Sequence, residues 1–239
     1  MLTGRCKARL KPAVYTGPAP ACLLLAGCLF ASAPVACASE EAAWPDDPGE
    51  FDVSAVNEGE LVFLDKPPEK PVHTHLNRIT LTARSLIDGW AGLYQCHSHL
   101  DPVPATQIVF RPGRIRALRV EQFSAIETVR VEGDSVQLEN VRPGAQLCLS
   151  AETRVVRPYS DGGFSVHNGP FMRGFLDGYY PMHVTLQINL PPGNWRLERS
   201  EPAARQGFAV TQAAGRLSVD AWFSGRLHTG FYFTPSKTE

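Results

Sequence analysis

Four of the seven histidines fall into two H-x-H pairs, His73-Thr74-His75 and His97-Ser98-His99. In a strand, residues i and i+2 share a face, so each pair presents two imidazoles side by side. The stretch "SLIDGW" (85–90), with its Asp88-Gly89 turn signal, reverses the chain between them and makes the two segments neighbours in a hairpin. A register in which paired residue numbers sum to an even value near 172 sets His75 opposite His97 and His73 opposite His99. An odd sum puts the two pairs on opposite faces. Four converging imidazoles would suit copper or zinc, ions for which neutral imidazole is a preferred ligand, and these are the only cofactors the sequence points to. The alternative is a set of strand-end histidines satisfied by backbone or water.

Parity says which way these side chains face. His73 and His75 alternate in step with Ile79, Leu81 and Ala83, so they point toward a core. His97 and His99 alternate with Leu93, while Trp90, Tyr94, Cys96 and Leu100 take the other face.

A second group lies in "NGPFMRGFLDGYYPMH" (168–183), which gathers Phe171, Met172, Phe175, Tyr179, Tyr180, Met182 and His183. It reads as a soft Met/His copper site, as a binding surface centred on Phe175, Tyr179 and Tyr180, or as a satellite cluster packing a long loop. Downstream of residue 38 there is no G-x-S-x-G, no Walker-type glycine loop and no C-x-x-C. Nucleophilic hydrolysis, nucleotide binding and thiol redox chemistry therefore have no motif behind them.

"HSHLD" (97–101) resembles the H-x-H-x-D-H signature of metallo-β-lactamase-fold hydrolases. The resemblance implies a metal-dependent hydrolase with His97, His99 and Asp101 as ligands and His167 and His228 as later ones. It spans five residues, and Pro102 stands where that family places its next histidine.

The elements that must position these residues are strands. From Glu60 onward, short runs alternate apolar and polar residues: "ELVFLD", "NRITLTARSL", "GLYQCHSHL", "TQIVF", "IRALRV", "ETVRV", "SVQLENV", "AQLCLSAETRVV", "HVTLQINL", "WRLERS", "GFAVTQ", "GRLSVDAWF" and "HTGFYF". Turn signals such as Pro112-Gly113, Gly133-Asp134, Pro143-Gly144 and Pro192-Gly193 separate them. No segment carries an amphipathic helical stripe, although "PFMRGFLDG" (170–178) has room for one or two helical turns. The expected fold is all-β, an antiparallel β-sandwich, as one large or two small units. "LENVRPGAQLCLSAETRVV" (138–156) resembles the corner before a late strand in immunoglobulin and fibronectin-III modules, with Leu147 near the place of that corner's tyrosine. The resemblance favours a sandwich and implies no function.

The N-terminus reads as an export signal. Arg5, Lys7, Arg9 and Lys11 precede the apolar run "ACLLLAGCLFASAPVA" (21–36), and "ACA" (36–38) offers a cleavage site before Ser39. "LAGC" (25–28) offers the alternative of a lipobox, with Cys28 acylated and the membrane touched only through that end. The expected organisation is a signal peptide (1–38), an acidic flexible linker (39–59), an N-terminal β-sandwich (60–157), an aromatic and Gly-rich connecting segment (158–182) and a C-terminal β-strand region (183–239).

Cleavage at Ser39 leaves 201 residues with 19 Lys+Arg against 24 Asp+Glu, a net charge of −5. That excludes the basic footprint of a nucleic-acid binder and a polybasic lipid-docking patch. It also leaves two cysteines, Cys96 and Cys148, an even pair expected to form a disulfide in an oxidising compartment. The function these features suggest is a non-catalytic binding or assembly module of the envelope, periplasmic or extracellular, whose partners are other envelope proteins or an unknown ligand. A periplasmic copper- or zinc-binding protein using the paired H-x-H motifs is the alternative, and a metal-dependent hydrolase a more remote one.

Overall fold

The computed structural model describes residues 57–175 and 177–236. The export segment, Cys28 and nearly all of the acidic linker lie outside the described residues.

The chain forms β1 (Val62–Phe63), β2 (Thr74–Thr80), the helical turn α1 (Ser85–Asp88), β3 (Trp90–Ser98), β4 (Ala105–Val109), β5 (Ile115–Glu132), β6 (Ser135–Arg154) and β7 (Val156–Pro158). It continues with β8 (Phe164–Phe171), β9 (Gly174–Phe175), β10 (Gly178–Tyr179), β11 (Met182–Asn189), β12 (Trp195–Glu201), β13 (Phe208–Ala213), β14 (Arg216–Ser224) and β15 (Leu227–Pro235). The protein is thus nearly all β with antiparallel sheets, as the alternation predicts.

A nine-stranded sheet runs β1-β14-β11-β2-β3-β6-β4, with β13 beside β14 and β5 beside β6. A four-stranded sheet runs β12-β15-β8-β7. One pair departs from the antiparallel rule. β2 and β11 are far apart in sequence, no hairpin constrains them, and they pair in parallel. That pair places strands from 60–157 and from 183–239 in the same sheet.

Alternation explains the core. Ile79 on β2, Leu93 on β3, Val184, Leu186 and Ile188 on β11, and Leu217, Val219 and Phe223 on β14 are all buried and form one apolar cluster. Phe164 and Val166 on β8 and Phe231 and Phe233 on β15 join it from the smaller sheet. Each fully buried side chain of this size is worth ~1.5–3 kcal/mol relative to exposure, so the layer dominates the fold's stability.

β5 and β6 form a long hairpin around the Gly133-Asp134 turn, and they do not lie flat. Ala117, Ala125 and Asn140 adopt φ of 53°, 55° and 53°. The register of β5 slips at Arg116/Arg119, Val120/Gln122 and Ser124/Ile126. Bulges of this kind sharpen strand twist, and the curl encloses a second cluster of Leu100, Ile126, Val136, Leu138, Leu147 and Leu149.

Two local expectations are corrected. Pro143-Gly144 does not end a strand: β6 runs through it, with Gly144 at φ 78° in the unpaired stretch between Val141 and Gln146. A proline without an N–H is tolerated there because the bulge asks for no ladder bond. The 138–154 stretch is therefore one bent strand rather than a corner, and Val156 opens β7 in the smaller sheet. Among the described residues of 170–178 there is no helical turn; β9 and β10 pair in a two-residue ladder instead.

Candidate functional site

The histidine hairpin has the even register. Thr74 pairs with Ser98 and His75 with His97, so both rings fall on one face. As parity predicts, that face is the interior: His75 and His97 are 7% and 4% exposed, and His73 is half-buried beside them.

Three imidazoles meet there. Ring centroids are 4.4 Å apart for His75 and His97, 5.1 Å for His73 and His97, and 6.4 Å for His73 and His75. His73 Nε2 and His97 Nδ1 are 2.8 Å apart, and His97 Nε2 is 2.6 Å from the Gln95 amide nitrogen. One proton arrangement satisfies both contacts as they stand. The Gln95 amide donates to His97 Nε2, and His97 Nδ1–H donates to His73 Nε2. His75 Nε2 is buried and has no hydrogen-bond partner; the ring packs edge-on against Phe171 at 5.2 Å.

Burial keeps all three rings neutral at physiological pH. It lowers His73 to about 4, where Asp101 partly opposes the fall while Arg173 and His99 add to it. Burial and then the charge of His73 lower His75 to about 3. His97 is pushed well below its ordinary value by burial, then by His75 and His73.

The fourth candidate ligand, His99, does not join them. It lies one residue beyond β3 in a left-handed conformation, φ 54°, and is exposed. Asp101 is also taken: its carboxylate receives two hydrogen bonds from the Arg173 guanidinium, at 2.8 and 2.5 Å. His167 bonds Ser165 Oγ at 3.0 Å, and His228 is exposed. Among the described residues no hydrogen bond or ring contact links either to the triad, although both border the same cavity as His97 and Asp101.

The triad forms part of the wall of a cavity of about 940 Å³. Phe171, Met172, Phe175, Tyr179 and Met182 line it too, so the histidine pairs and most of the aromatic segment, two separate features in the sequence, border one space. Tyr180 is exposed, edge-on to Phe175 at 5.6 Å. The Tyr179 hydroxyl accepts from Arg226 at 2.7 Å. Met182 and His183 alternate, and His183 faces outward, stacked on Trp222 at 4.0 Å and bonded to Asp220 at 2.6 Å. The combined Met/His site is thus split between two faces.

Sequence reasoning overlooked Asn77 and Gln95. Both lie on the inward face, 2% and 3% exposed, and Asn77 Oδ1 is buried without a partner. The signal was present: the run His73, His75, Asn77 and the pair Gln95, His97 put polar residues at positions whose parity continues into Ile79 and Leu93. It also overlooked the charge at the cavity: among the described residues five arginines line it (Arg111, Arg114, Arg154, Arg157 and Arg173) against one acid, Asp101.

Among the described residues, no group of three or more His, Cys, Asp or Glu is already spaced around a common ion position. The three rings share one volume, but an ion would have to displace the proton between His73 and His97 and turn the His75 ring. Among known proteins, no family model matches the chain, and no curated protein is similar to it.

Proposed function

We propose that the chain is an exported, non-catalytic envelope protein whose working element is the cavity. Its ligand is a small amphipathic molecule with an acidic group. The observation that carries this reading is where the unmet polar valences fall. Four buried side-chain atoms among the described residues lack partners, and three of them, on His75, Asn77 and Asn168, belong to residues lining this one cavity. Buried polar groups without partners cost ~1–3 kcal/mol each, so their gathering in one lined space favours a ligand that completes them.

The volume falls within the ~300–1,000 Å³ range of small-molecule sites. The apolar walls (Leu93, Val103, Phe110, Phe171, Met182) favour a hydrocarbon body. Arginine outnumbers acid, and Asp101 is already paired with Arg173, so the surplus positive charge favours a carboxylate or similar anion. The all-β architecture suits this role: the two sheets share one apolar layer, and residues of both line the cavity. The export signal, the acidic linker and the absence of a catalytic motif support an envelope binding or assembly module.

Isothermal titration with laurate and with dodecyltrimethylammonium, both below their micellar concentrations, tests the ligand class. The expected result is one laurate per chain, with the cationic amphiphile bound at least about tenfold more weakly, as an unpaired charge against an arginine surplus requires. Equal binding of the two, or no binding of either, would overturn the reading.

A further inference from the structure

We infer that His73, His75 and His97 form a three-imidazole site for a divalent transition-metal ion, copper(II) before zinc, in the wall of the cavity. This site would hold its ion whether or not the cavity takes the organic ligand proposed above.

The hairpin register supplies the geometry. His75 and His97 are directly paired, and His73 precedes His75 by two residues on the same face. Two nitrogens bound to one ion at ~2.0 Å lie roughly 2.8 Å apart at a right angle and roughly 3.3 Å apart at a tetrahedral one. His73 Nε2 and His97 Nδ1 are already 2.8 Å apart, a separation that suits the tetragonal preference of copper(II) and that zinc would have to widen.

The hydrogen bonds alone do not account for this cluster. Gln95, His97 and His73 form a satisfied chain without an ion, yet His75 Nε2 stays buried and unpartnered beside them. An ion between His73 and His97 would give that nitrogen its partner through rotation of one ring. Gln95 has a definite part in the exchange. If its amide flips, the oxygen accepts a hydrogen bond from His97 Nε2–H, which fixes the tautomer that leaves Nδ1 free for the ion. Outer-sphere partners of metal-bound histidine commonly work this way.

The donor set also selects the metal. Among the described residues no carboxylate is free at the triad, because Asp101 is held by Arg173, so calcium and magnesium find no oxygen cage there. Cys96 and Cys148 are joined to each other on the opposite face of the sheet, which removes thiolate. Three neutral imidazoles remain, a borderline set that binds copper(II) most tightly in the first-row order.

The test is competitive titration of the mature, metal-stripped protein with Cu(II) and Zn(II) against glycine, with electron paramagnetic resonance of the copper form. One Cu(II) per chain is expected, with nitrogen hyperfine structure from imidazole and tighter binding than Zn(II). His75→Phe keeps a ring against Phe171 but cannot ligate, so it should retain the fold and weaken copper at least about 100-fold. Gln95→Leu should weaken it about 10–100-fold, and His99→Ala should leave it unchanged. Circular dichroism and melting of each metal-free variant verify that the fold persists. A wild type that binds copper no better than His75→Phe, or a loss confined to His99→Ala, would overturn the inference. Laurate binding that survives a negative result would leave the cavity reading standing.

Discussion

His75 lies directly across from His97 on the neighbouring strand, ring centroids 4.4 Å apart, both turned into the protein. Interiors seldom hold ionisable groups this close, because each must stay uncharged and still find partners. The residues on either side hold the arrangement in register. Cys96, adjacent to His97, is bonded to Cys148 on β6, and Leu147 lies beside His97 on that same strand. The disulfide lies on the face of the sheet opposite the imidazole, with Cys148 itself buried, so one bond between strands fixes the level at which the histidine enters the cavity.

Acid should destabilise the metal-free protein. Folding holds His73 at about 4 and His75 at about 3 against an ordinary 6.5, and burial also pushes His97 well below its ordinary value. Between those values the unfolded chain binds protons that the folded chain refuses. Stability is therefore complete above pH 6.5 and falls as pH drops toward 3. At about 1.4 kcal/mol per pKa unit, protonating the cluster in acid would cost several kcal/mol, a large share of a total near 5–15. Urea midpoints at pH 7.5, 5.5 and 4.5, with chelator present, should decline in that order. The decline should be shallower in a His75→Phe/His97→Phe variant. A flat wild-type profile would mean the rings are solvated.

Breaking the disulfide should cost stability without erasing the sheet. The bond spans a sequence separation of 52 and joins residues already paired in the ladder, Cα atoms 4.1 Å apart. Chain-entropy estimates put such a loop near 4 kcal/mol, and removal of a native disulfide usually costs 2–5. Cys96→Ala/Cys148→Ala should show a denaturant midpoint reduced by that amount with a largely preserved far-ultraviolet spectrum. Thiol titration of the denatured, non-reduced wild type should find neither of these two cysteines free. An unshifted midpoint would mean strand pairing alone holds the register.

Much of this was legible because a strand's period is two. Alternation placed His73 and His75 on the core side, while the sequence left the register across the hairpin open between even and odd sums. His99 broke the pattern because a left-handed residue just past β3 resets parity, and no local signal at a Ser-His-Leu step announces that. The continuity of β6 through Pro143-Gly144 was hidden for a related reason. The same dipeptide serves a turn or a bulge, and the choice is made by the facing strand β5. The cavity was out of reach, since β2, β3 and the 168–182 segment meet only through long-range packing and the parallel β2–β11 pair.

Export is testable at the mature terminus. Intact mass of the protein recovered from the producing cell's envelope should correspond to a chain starting at Ser39. A mass matching a diacyl- or triacyl-modified Cys28 start would establish the lipobox alternative. An unprocessed Met1 start in a cytoplasmic fraction would remove the envelope reading altogether.

The Asp101–Arg173 pair should act as a strap across the cavity. Asp101 follows β3 and the histidines, while Arg173 sits in the segment that carries Phe171, Met172 and Phe175. The two side chains are only 27% and 18% exposed. Arg173 also donates to the Pro181 carbonyl at 3.1 Å, closing the 171–182 loop onto itself. One guanidinium thus ties the aromatic wall to the strand that presents the triad. Such planar, two-point pairing is not reproduced by an ammonium, so Arg173→Lys should weaken the strap even with the charge kept. Removing one partner of a poorly solvated pair leaves the other uncompensated, and partial exposure brings the expected loss to about 1–3 kcal/mol. Hydrogen exchange is the discriminating measurement. In Arg173→Ala, amides of 171–182 should exchange at least about tenfold faster while those of β11 and β14 stay protected, the mark of local rather than global opening. Uniform acceleration across the sheet would show that the pair supports the whole fold. No acceleration would show that the aromatic wall is held by its own packing.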